Sequence, residues 1–436
     1  QTAINLALPL EARLPDLRLK GLDLAIMGTS SDAIDEASDR ERFEAFARRS
    51  GLKMPRGATG TTADDLRAAV EEIGFPVLIR PSYVLGGRAM EILSNQQQLD
   101  GYVRDAYLAP DKPLLVDEYL GHATELDVDA ASDGKDVLVG AIMEHLEEAG
   151  IHSGDSTCFI PTQNISESML ARVAEQTKII GLGLKIKGCF NIQFAIQGDD
   201  LYVLEVNPRS SRTVPFVAKS SGLPLARIAA RVTIGIPLKD QTIPRRTTGQ
   251  VCVKAPVFPF IKLRGLDPAP GPEMKSTGEV YGSDERADLA YLKARLATEV
   301  PVATSGGAYL TVRDEDKENL APVAKELVSL GFTLYATGGT ADALRRHEIP
   351  VTTVYRIAEG KHPDALDLMH QGKVSFIVNV PTISGGAVRD GNMMRRLAVE
   401  LNIPFVTTIR GAVMEAAAMR AHIEETLEPR KLTVHY

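Results

Sequence analysis

The chain has 436 residues, 44% hydrophobic and 24% charged, enough for large cores and, at roughly 150 residues per domain, for two or three domains. Acidic residues outnumber basic ones, 57 to 49, for a net charge of −8, so no basic field can hold a nucleic-acid backbone, and we expect no nucleic-acid partner. No apolar run approaches the roughly 18 residues of a membrane span, and residues 1–20 lack a signal-peptide pattern, so we expect no membrane partner.

The three cysteines stand singly in the sequence. Cys158, Cys189 and Cys252 form no C-x-x-C pair, which argues against a disulfide framework or a thiolate metal site and fits a reducing cytoplasm. The chain begins with Gln1 rather than methionine. We therefore expect it to be part of a longer protein.

The first predicted elements are a short strand and a helix. Residues 22–28 (LDLAIMG) predict a buried strand, which we interpret as the end of a preceding domain. DRERFEAFARR then carries Phe43, Phe46 and Ala47 on one helical face. Up to about residue 240, the strands FPVLIR, LLVDEY, ELDVDA and VLVGAIM alternate with helices at 64–73 and 167–182. This alternation predicts an α/β or α+β body.

The C-terminal part has a different pattern. Residues 241–300 are rich in proline and suit extended edge strands and a connection more than another core, so we place a boundary near residue 300. Beyond it, the strands AYLTV, FTLYAT, VTTVY, VSFIVNV and PFVTT alternate with helices near 315–329, 341–347, 392–401 and 411–427. This order predicts a compact parallel sheet.

A polar face is predicted on a hairpin built from FNIQFAI and YVLEVN, which QGDD separates. If the loop is centred near Asp199, Gln193 lies opposite Glu205 and Asn191 lies opposite Asn207. The even positions form an apolar face: Ile192, Phe194, Ile196, Tyr202, Leu204 and Val206. The alternative without a ligand site is that the second strand simply ends at an Asn-Pro turn, which solvated arginines follow.

The polar face carries the oxygen ligands that Mg²⁺ or Mn²⁺ prefers, and Glu205 can bridge a pair of such ions. Arg209 and Arg212, just past the strand, offer guanidinium forks to a phosphate or carboxylate. A second stretch, RPSYVLGGRAMEI, places Arg80 and Arg88 around a Gly-Gly turn that can cover phosphates, although the same turn can be a simple hairpin tip. No Walker phosphate loop occurs in the sequence.

Two further stretches carry candidate sites. ELDVDA puts Glu125, Asp127 and Asp129 on one strand face, with solvated acids on an edge strand as the alternative. FTLYATGGTADALRRH predicts a strand, a turn at residues 337–340 and a helix start, which together form an anion site from amides, hydroxyls and the helix dipole. A plain glycine turn is the alternative there.

In this order, the segments resemble the second, carbamate-phosphorylating ATP-grasp half of carbamoyl phosphate synthetase large chains. The matching stretches are GTSSDAIDEASDRERF, RPSYVLGGRAMEI, DVDA, IMEHLEEAGIHSGDS, NIQFAI, EVNPRSSRTVPFVAK and GPEMKSTGEV. The resemblance implies an α/β and α+β multidomain fold. Residues 1–30 would be the remnant of a pre-ATP-grasp domain, with QTAINLA resembling the end of the family's GGQT segment. Residues 31–300 would form the ATP-grasp domain with the connecting segment 241–300, and residues 301–436 a parallel-sheet, methylglyoxal-synthase-like regulatory domain.

The resemblance also implies ligands. ATP is the expected cofactor, with Gln193, Glu205 and Asn207 holding a pair of Mg²⁺ or Mn²⁺ ions; K⁺ is a further candidate. Arg40 and Arg80 would bind the phosphates, Glu125 the ribose, and Arg209 and Arg212 the substrate or the transferred phosphoryl group. The residues implied around ATP, several of them through backbone atoms, also include Glu118, Leu120, Gly150, Ile151, His152, Ser153, Gln193 and Glu205.

In the last domain the family's effector loop matches Thr337, Gly338, Gly339 and Thr340, with Arg356 at a position that is basic in some members. The effector would be a nucleotide such as UMP or IMP, or ornithine. VATSGGAYL lacks a lysine that some members have before the first strand, and Asn379 is a further candidate contact.

The implied reaction is attack of a carbamate oxygen on the γ-phosphorus of ATP, feeding pyrimidine and arginine biosynthesis, with SYVLGGRAM as a candidate lid. A preceding N-terminal half and a glutaminase small chain would be partners. Three alternatives stay open: another ATP-dependent carboxylate–amine ligase or biotin carboxylase, a nucleotide-binding regulatory fragment without turnover, and methylglyoxal synthase activity.

Overall fold

The computed structural model describes residues 2–21, 24–81, 90–105, 113–244, 249–260, 262, 267–381 and 386–427. Within these ranges the strands form a four-stranded, a seven-stranded and a five-stranded sheet. No helix in the described part of the chain is both long and apolar enough to cross a bilayer.

Three helices open the chain: α1 (Thr2–Leu19), α2 (Ser31–Ser38) and α3 (Arg40–Arg49). The side chain of Asp39 caps α3 by accepting a hydrogen bond from the Arg42 amide, and the predicted apolar face of α3 is buried. The predicted strand at 22–28 is wrong for its described residues 24–28, which lie outside any strand and expose Leu24 and Met27. An apolar run forms a strand only where another strand pairs with it.

The four-stranded antiparallel sheet has the order β1-β4-β2-β3. Its strands are β1 (Gly57–Gly60), β2 (Val77–Pro81), β3 (Glu91–Leu93) and β4 (Leu114–Glu118), and its helices are α4 (Ala63–Ile73) and α5 (Gln96–Asp105). A capping box between Thr62 and Asp65 starts α4, close to the predicted position. The sheet and both helices share one apolar core.

The seven-stranded sheet is antiparallel throughout, in the order β11-β10-β7-β6-β5-β8-β9. Its strands are β5 (Thr124–Asp133), β6 (Val137–Glu148), β7 (Cys158–Ile160), β8 (Lys187–Gln197), β9 (Asp200–Asn207), β10 (Val251–Val257) and β11 (Gly278–Asp284). Helix α6 (Glu167–Gly183) covers one face, and α7 (Val214–Ser221) and α8 (Leu225–Thr233) cover part of the other.

The segment 241–300 contributes more than a connection. Strand β11 is an edge strand, as predicted, but helix α9 (Ala287–Ala297) was not predicted. Its buried residues belong to a core that the seven-stranded sheet shares with the C-terminal part. Helix α9 lies so close to β11 that a Cβ on Gly282 would come within 2.3 Å of the carbonyl oxygen of Ala290. The segment therefore adds a buried helix to the predicted edge strands and connection.

The five-stranded sheet is parallel, as predicted, in the order β14-β13-β12-β15-β16. Its strands are β12 (Gly307–Thr311), β13 (Thr333–Thr337), β14 (Thr352–Val354), β15 (Phe376–Asn379) and β16 (Phe405–Val406). Helices α10 (Lys317–Ser329), α11 (Gly338–Arg346) and α14 (Ile409–Glu424) cover one face; α12 (Ala365–His370), which was not predicted, and α13 (Gly386–Glu400) cover the other. Because the strands are parallel, their carboxyl ends share one edge.

Short 3-10 turns at Ser153–Asp155, Leu238–Asp240, Asp314–Asp316 and Ile357–Glu359 complete the elements of the described part of the chain. All three cysteines are free thiols, in agreement with the expectation of no disulfide framework.

Candidate functional site

A cleft of about 920 Å³ lies between the four-stranded and the seven-stranded sheets. The residues that the resemblance implies for ATP, metal and substrate come from distant parts of the sequence, and the structure places them on the wall of this cleft. They are Arg40, Arg80, Glu118, Leu120, Glu125, Gly150, Ile151, His152, Ser153, Gln193, Glu205, Asn207, Arg209 and Arg212.

The hairpin of β8 and β9 has the predicted register. Gln193 pairs with Glu205 and Asn191 pairs with Asn207, on either side of a tight turn at residues 198–199. All four side chains line the cleft. The two-residue turn alone would place Gln193 opposite Leu204, and one extra residue in β9 shifts the pairing to Glu205. The predicted pairs are therefore correct because the loop centre assumed at Asp199 has the same effect on the register as this extra residue.

The predicted apolar face of β9 needs a correction. A register shift after Gln193 pairs Phe194 with Val203, so Leu201 and Val203 enter the main core instead of Tyr202 and Leu204. Tyr202 and Leu204 pack on the other face, in a small apolar cluster that includes Leu120, Ala123, Ala149 and Ala195. Residues 201–204 are four successive apolar residues (LYVL), so alternation did not show which of them face the core. The register shift supplies the polar cleft with an apolar wall.

Glu125, Asp127 and Asp129 follow one another on the cleft face of β5. They pair with Ala195, Gln193 and Asn191 of β8, and each carboxylate is at most 2% exposed. The alternative of solvated acids on an edge strand is wrong, because β5 lies between β6 and β8.

Burial changes the acidity of two of these groups. Burial raises the pKa of Glu125 to about 7, and the neighbouring charge of Asp127 acts in the same direction. Burial also raises the pKa of Asp129 to about 6, although hydrogen bonds from Thr213 and Ser211 oppose the shift. Perturbed acids of this kind cluster at functional sites.

Asp129 organises the loop that carries the predicted substrate arginines. Its carboxylate accepts hydrogen bonds from Asn191 Nδ2 (3.0 Å), Ser211 Oγ (2.7 Å) and Thr213 Oγ1 (2.6 Å). In the same loop Arg209 Nη2 donates to Asn207 Oδ1 (2.9 Å). The strand end and the arginine loop are thereby held as one unit.

Asp117 on β4 is a cleft residue that the sequence analysis missed. Its carboxylate lies 2.8 Å from Arg40 Nη2 and 3.1 Å from Arg80 Nε, and its side chain is 9% exposed. One buried carboxylate thus holds the two guanidinium groups predicted for the phosphates. The alternation in LLVDEY, with Leu114 and Val116 in the core, was the available signal.

The segment 150–153 is held by its backbone. The Gly150 amide donates to Glu125 Oε2 (3.3 Å), and the Gly154 amide donates to Nδ1 of His152 (3.0 Å). Burial lowers the pKa of His152. Lys254, a buried lysine that the sequence analysis did not select, donates to the carbonyl of Ser153 (3.0 Å).

Glu118 has a local partner at the rim of the cleft. Arg56 Nε donates to Glu118 Oε2 (3.2 Å), and this hydrogen bond lowers the pKa of Glu118. The backbone amide of Glu118 also donates to the carbonyl of Arg56 (2.8 Å). Its side chain is therefore directed at the arginine as well as bordering the cleft.

The donor set on the hairpin fits a divalent cation. Gln193 and Asn207 present amide oxygens and Glu205 a carboxylate that is exposed to the cleft, and hard cations select such oxygens. The candidate lid SYVLGGRAM, with Arg88, lies outside the described residues except for Met90, which lines the cleft.

A second candidate site lies at the carboxyl edge of the parallel sheet. Thr337 ends β13 and α11 starts directly at Gly338, so the strand and the following helix are as predicted but the turn at residues 337–340 is wrong. Gly338, Gly339 and Thr340 form the first turn of the helix, and exposed Arg356 follows β14. Lys317 Nζ lies 2.9 Å from the point that a Cβ on Gly339 would occupy. A basic group thus approaches the loop from α10, which the sequence analysis did not anticipate, and helix N-termini favour anions.

Among the family models, residues 39–241 match the ATP binding domain of the carbamoyl-phosphate synthase L chain, and residues 319–407 match the MGS-like domain. The chain is 47% identical to the carbamoyl phosphate synthase large chain of Methanosarcina acetivorans over 425 aligned residues. The alignment covers 96% of this chain and 39% of that protein. It is 45% identical to the large chain of Methanoculleus marisnigri over 432 aligned residues, which are 98% of this chain and 40% of that protein. The chain spans about 40% of the length of these relatives.

Solved structures share the fold at low sequence identity. The ATP complex of carboxyaminoimidazole ribonucleotide synthase from Aspergillus clavatus has a TM-score of 0.53 and 17% identity, covering 65% of this chain and 77% of that one. The ADP complex of N5-carboxyaminoimidazole ribonucleotide synthetase has a TM-score of 0.51 and 13% identity, covering 62% and 73%.

The two-sheet cleft and these neighbours define an ATP-grasp fold, followed here by an MGS-like domain. The matched domains and the relatives agree with each other. The chain carries these two domains and is similar over nearly its whole length to carbamoyl phosphate synthase large chains.

Proposed function

We propose that the chain carries the carbamate-phosphorylating step of carbamoyl phosphate synthesis: MgATP and carbamate give carbamoyl phosphate and ADP. The observation that carries the proposal is the oxygen face of Gln193, Glu205 and Asn207, in register beside the Asp117-braced arginines. This arrangement is what phosphoryl transfer requires, since the reaction depends on positioning and charge neutralisation more than on a protein nucleophile.

Each wall of the cleft has a role in this proposal. The apolar cluster around Leu120 and Leu204 receives the base, and the backbone of 150–153 with Glu125 receives the nucleoside. Arg40 and Arg80 bind the phosphates. The similar solved structures include complexes with ATP and with ADP, which supports a nucleotide in this cleft.

The reacting groups meet near the end of β9. Gln193, Glu205 and Asn207 would hold the Mg²⁺ or Mn²⁺ ions, which would neutralise charge on the ATP phosphates. Arg209 and Arg212 orient the carbamate and the transferred phosphoryl group with guanidinium hydrogen bonds. Asp129 keeps their loop in place, and K⁺ is a further cation in the proposal.

Several features beyond the cleft belong to the same proposal. The edge with Thr337, Gly338, Gly339, Thr340 and Arg356 binds a nucleotide or ornithine effector, and the domain boundary lies near residue 300. A preceding half and a glutaminase chain supply the carbamate, in the cytoplasm, for pyrimidine and arginine synthesis. The MGS-like match favours this assignment over other ATP-grasp ligases.

The test runs the reaction backward. Purified chain is incubated with MgADP and carbamoyl phosphate, and ATP is detected with luciferase. We expect ATP formation that Glu205→Gln lowers about a hundredfold, the usual loss when one charge-stabilising group is removed. Asp200→Asn is the matched control, since Asp200 lies on the same hairpin and pairs with Lys53 away from the cleft. Equal loss in both variants contradicts the site.

A second candidate is a nucleotide-binding fragment without turnover. It is favoured by the share of the relatives' length that the chain spans, about 40%. MgADP binding without ATP formation would support it. Absence of MgADP binding in the parent chain would contradict both candidates.

A further inference from the structure

An irregular segment at residues 267–276, here named the strap, lies against the candidate nucleotide segment. The His152 amide donates to the carbonyl of Gly271 (2.9 Å). The amides of Lys275 and Ser276 donate to the two carboxylate oxygens of Asp155 (2.7 and 2.9 Å). Ser276 Oγ adds a bond to the carbonyl of Gly154 (3.0 Å). The strap therefore fixes the turn that follows the predicted nucleoside contacts.

The other end of the strap is attached to the C-terminal domain. Arg395 on α13 makes a two-pronged contact with Asp267, with Nε 2.8 Å from Oδ1 and Nη2 bonded to Oδ2. Arg395 is 1% exposed. Burial is the largest influence on the pKa of the Asp267 carboxyl and raises it, but the hydrogen bond and charge of Arg395, the Ala269 amide and the charge of Lys275 together lower this pKa. Charge and fork geometry both favour arginine here.

The strap is internally braced, so a shift at Asp267 is carried along it. Lys275 Nζ donates back to the carbonyls of Asp267 (3.0 Å) and Ala269 (2.6 Å). The amide of Ala269 donates to Asp267 Oδ1 (2.9 Å). These bonds close the strap into a loop whose one side holds Arg395 and whose other side holds the turn 152–155.

Arg395 also reaches the carboxyl edge of the parallel sheet. Its Nη1 bonds to Oδ1 of Asn379, the last residue of β15. The guanidinium group of Arg395 packs closely against Gly391, where an added Cβ would lie 2.7 Å from Nη1. Asn379 was predicted as a candidate effector contact, and its side-chain amide oxygen accepts a hydrogen bond from Arg395.

We propose that Arg395 is a positioning residue for the nucleotide site, acting through Asp267 and the strap on the backbone of residues 152–155. The proposal deepens the proposed function, on which the identity of the ligand rests. It connects the edge of the C-terminal sheet to the ATP cleft by contiguous hydrogen bonds, a physical path for coupling between domains.

The experiment uses the full chain and two independent readouts. Arg395→Met and Asp267→Asn are compared with the parent by calorimetric MgADP binding and by amide hydrogen exchange, well below the thermal transition of each variant. We expect the Kd for MgADP to rise roughly tenfold, the lower end of the loss seen when a group that orients a ligand-binding residue is removed. Exchange should accelerate in peptides covering 150–156 and 271–277. The double variant should bind no worse than Arg395→Met.

Arg295→Met is the matched control, because Arg295 forms a buried ion pair with Glu415 on α14 instead of with the strap. It should leave both readouts unchanged. Should Arg395→Met fail to fold, Asp267→Asn decides, since Asp267 is 29% exposed in its side chain. Parental exchange at 150–156 in Asp267→Asn and Arg395→Met overturns the positioning role, whatever the binding result. Lack of MgADP binding by the parent contradicts the proposed function instead, and the exchange readout still decides the role of the strap.

Discussion

Replacing Glu125 by glutamine should stabilise the protein at alkaline pH. Burial holds the pKa of Glu125 at about 7 in the folded chain, against an ordinary 4.5. A carboxyl whose folded pKa is raised stabilises the fold fully below its unfolded pKa, and this stability is lost as pH rises through the folded pKa. The gap between the two values corresponds to about 3 kcal/mol above pH 7.

The variant removes the free-energy cost of burying the ionised carboxylate. It keeps a side-chain oxygen for the Gly150 amide, which donates to Glu125 Oε2 in the parent chain. Urea unfolding at about pH 5 and about pH 8.5 should therefore show Glu125→Gln gaining relative to the parent by about 2–3 kcal/mol between the two conditions. MgADP binding should weaken, because the proposed ribose contact loses its charge.

Glu205→Gln is the matched control, since Glu205 lies on the same cleft face but is exposed. The change between the two pH values should be larger for Glu125→Gln than for Glu205→Gln, because only Glu125 is buried. The reasoning is refuted if the gain of Glu125→Gln is the same at both pH values. That result would mean that the buried carboxylate ionises without cost, for example because the charge of His145 compensates it.

Three further substitutions test other parts of the structure. Asp117→Asn should raise the KM for ADP about tenfold, because Arg40 and Arg80 both lose their charged partner. Hydrogen bonds to charged groups contribute about 1.5–3 kcal/mol. An unchanged KM would contradict the proposal that Asp117 holds the two arginines. Gly282→Ala should lower the free energy of unfolding by about 1–3 kcal/mol through overpacking against α9, whereas Gly278→Ala on the same strand has open space and should not. Thr213→Val removes a hydrogen-bond donor to the Asp129 carboxylate and should lower the free energy of unfolding in urea by about 1–2 kcal/mol at about pH 8. The loss should be smaller at about pH 5, where Asp129 is protonated. Equal losses at both pH values would contradict the role of this hydrogen bond.

The oxygen face of Gln193, Glu205 and Asn207 shows how much a local pattern can predict. Side-chain alternation predicted its polar residues, whereas the pairing of Gln193 with Glu205 also depends on the register shift in β9. The face of Glu125, Asp127 and Asp129 followed from the same alternation. Its burial did not, because whether a strand is central or at an edge depends on which other strands pair with it.

The sequence by itself determined the five strands of the parallel sheet, strands β2, β4, β5, β6, β8 and β9 of the other sheets, and many of the residues that line the cleft. These features depend on periodicity and on motifs that recur in the family. The sequence did not predict β1, β3 and β7. The register shift in β9, the bracing of two arginines by Asp117 and the burial of α9 were decided only by the tertiary structure. The contact of Arg395 with Asp267 joins residues 128 positions apart. Such contacts depend on how separate elements pack, and no local pattern carries that information.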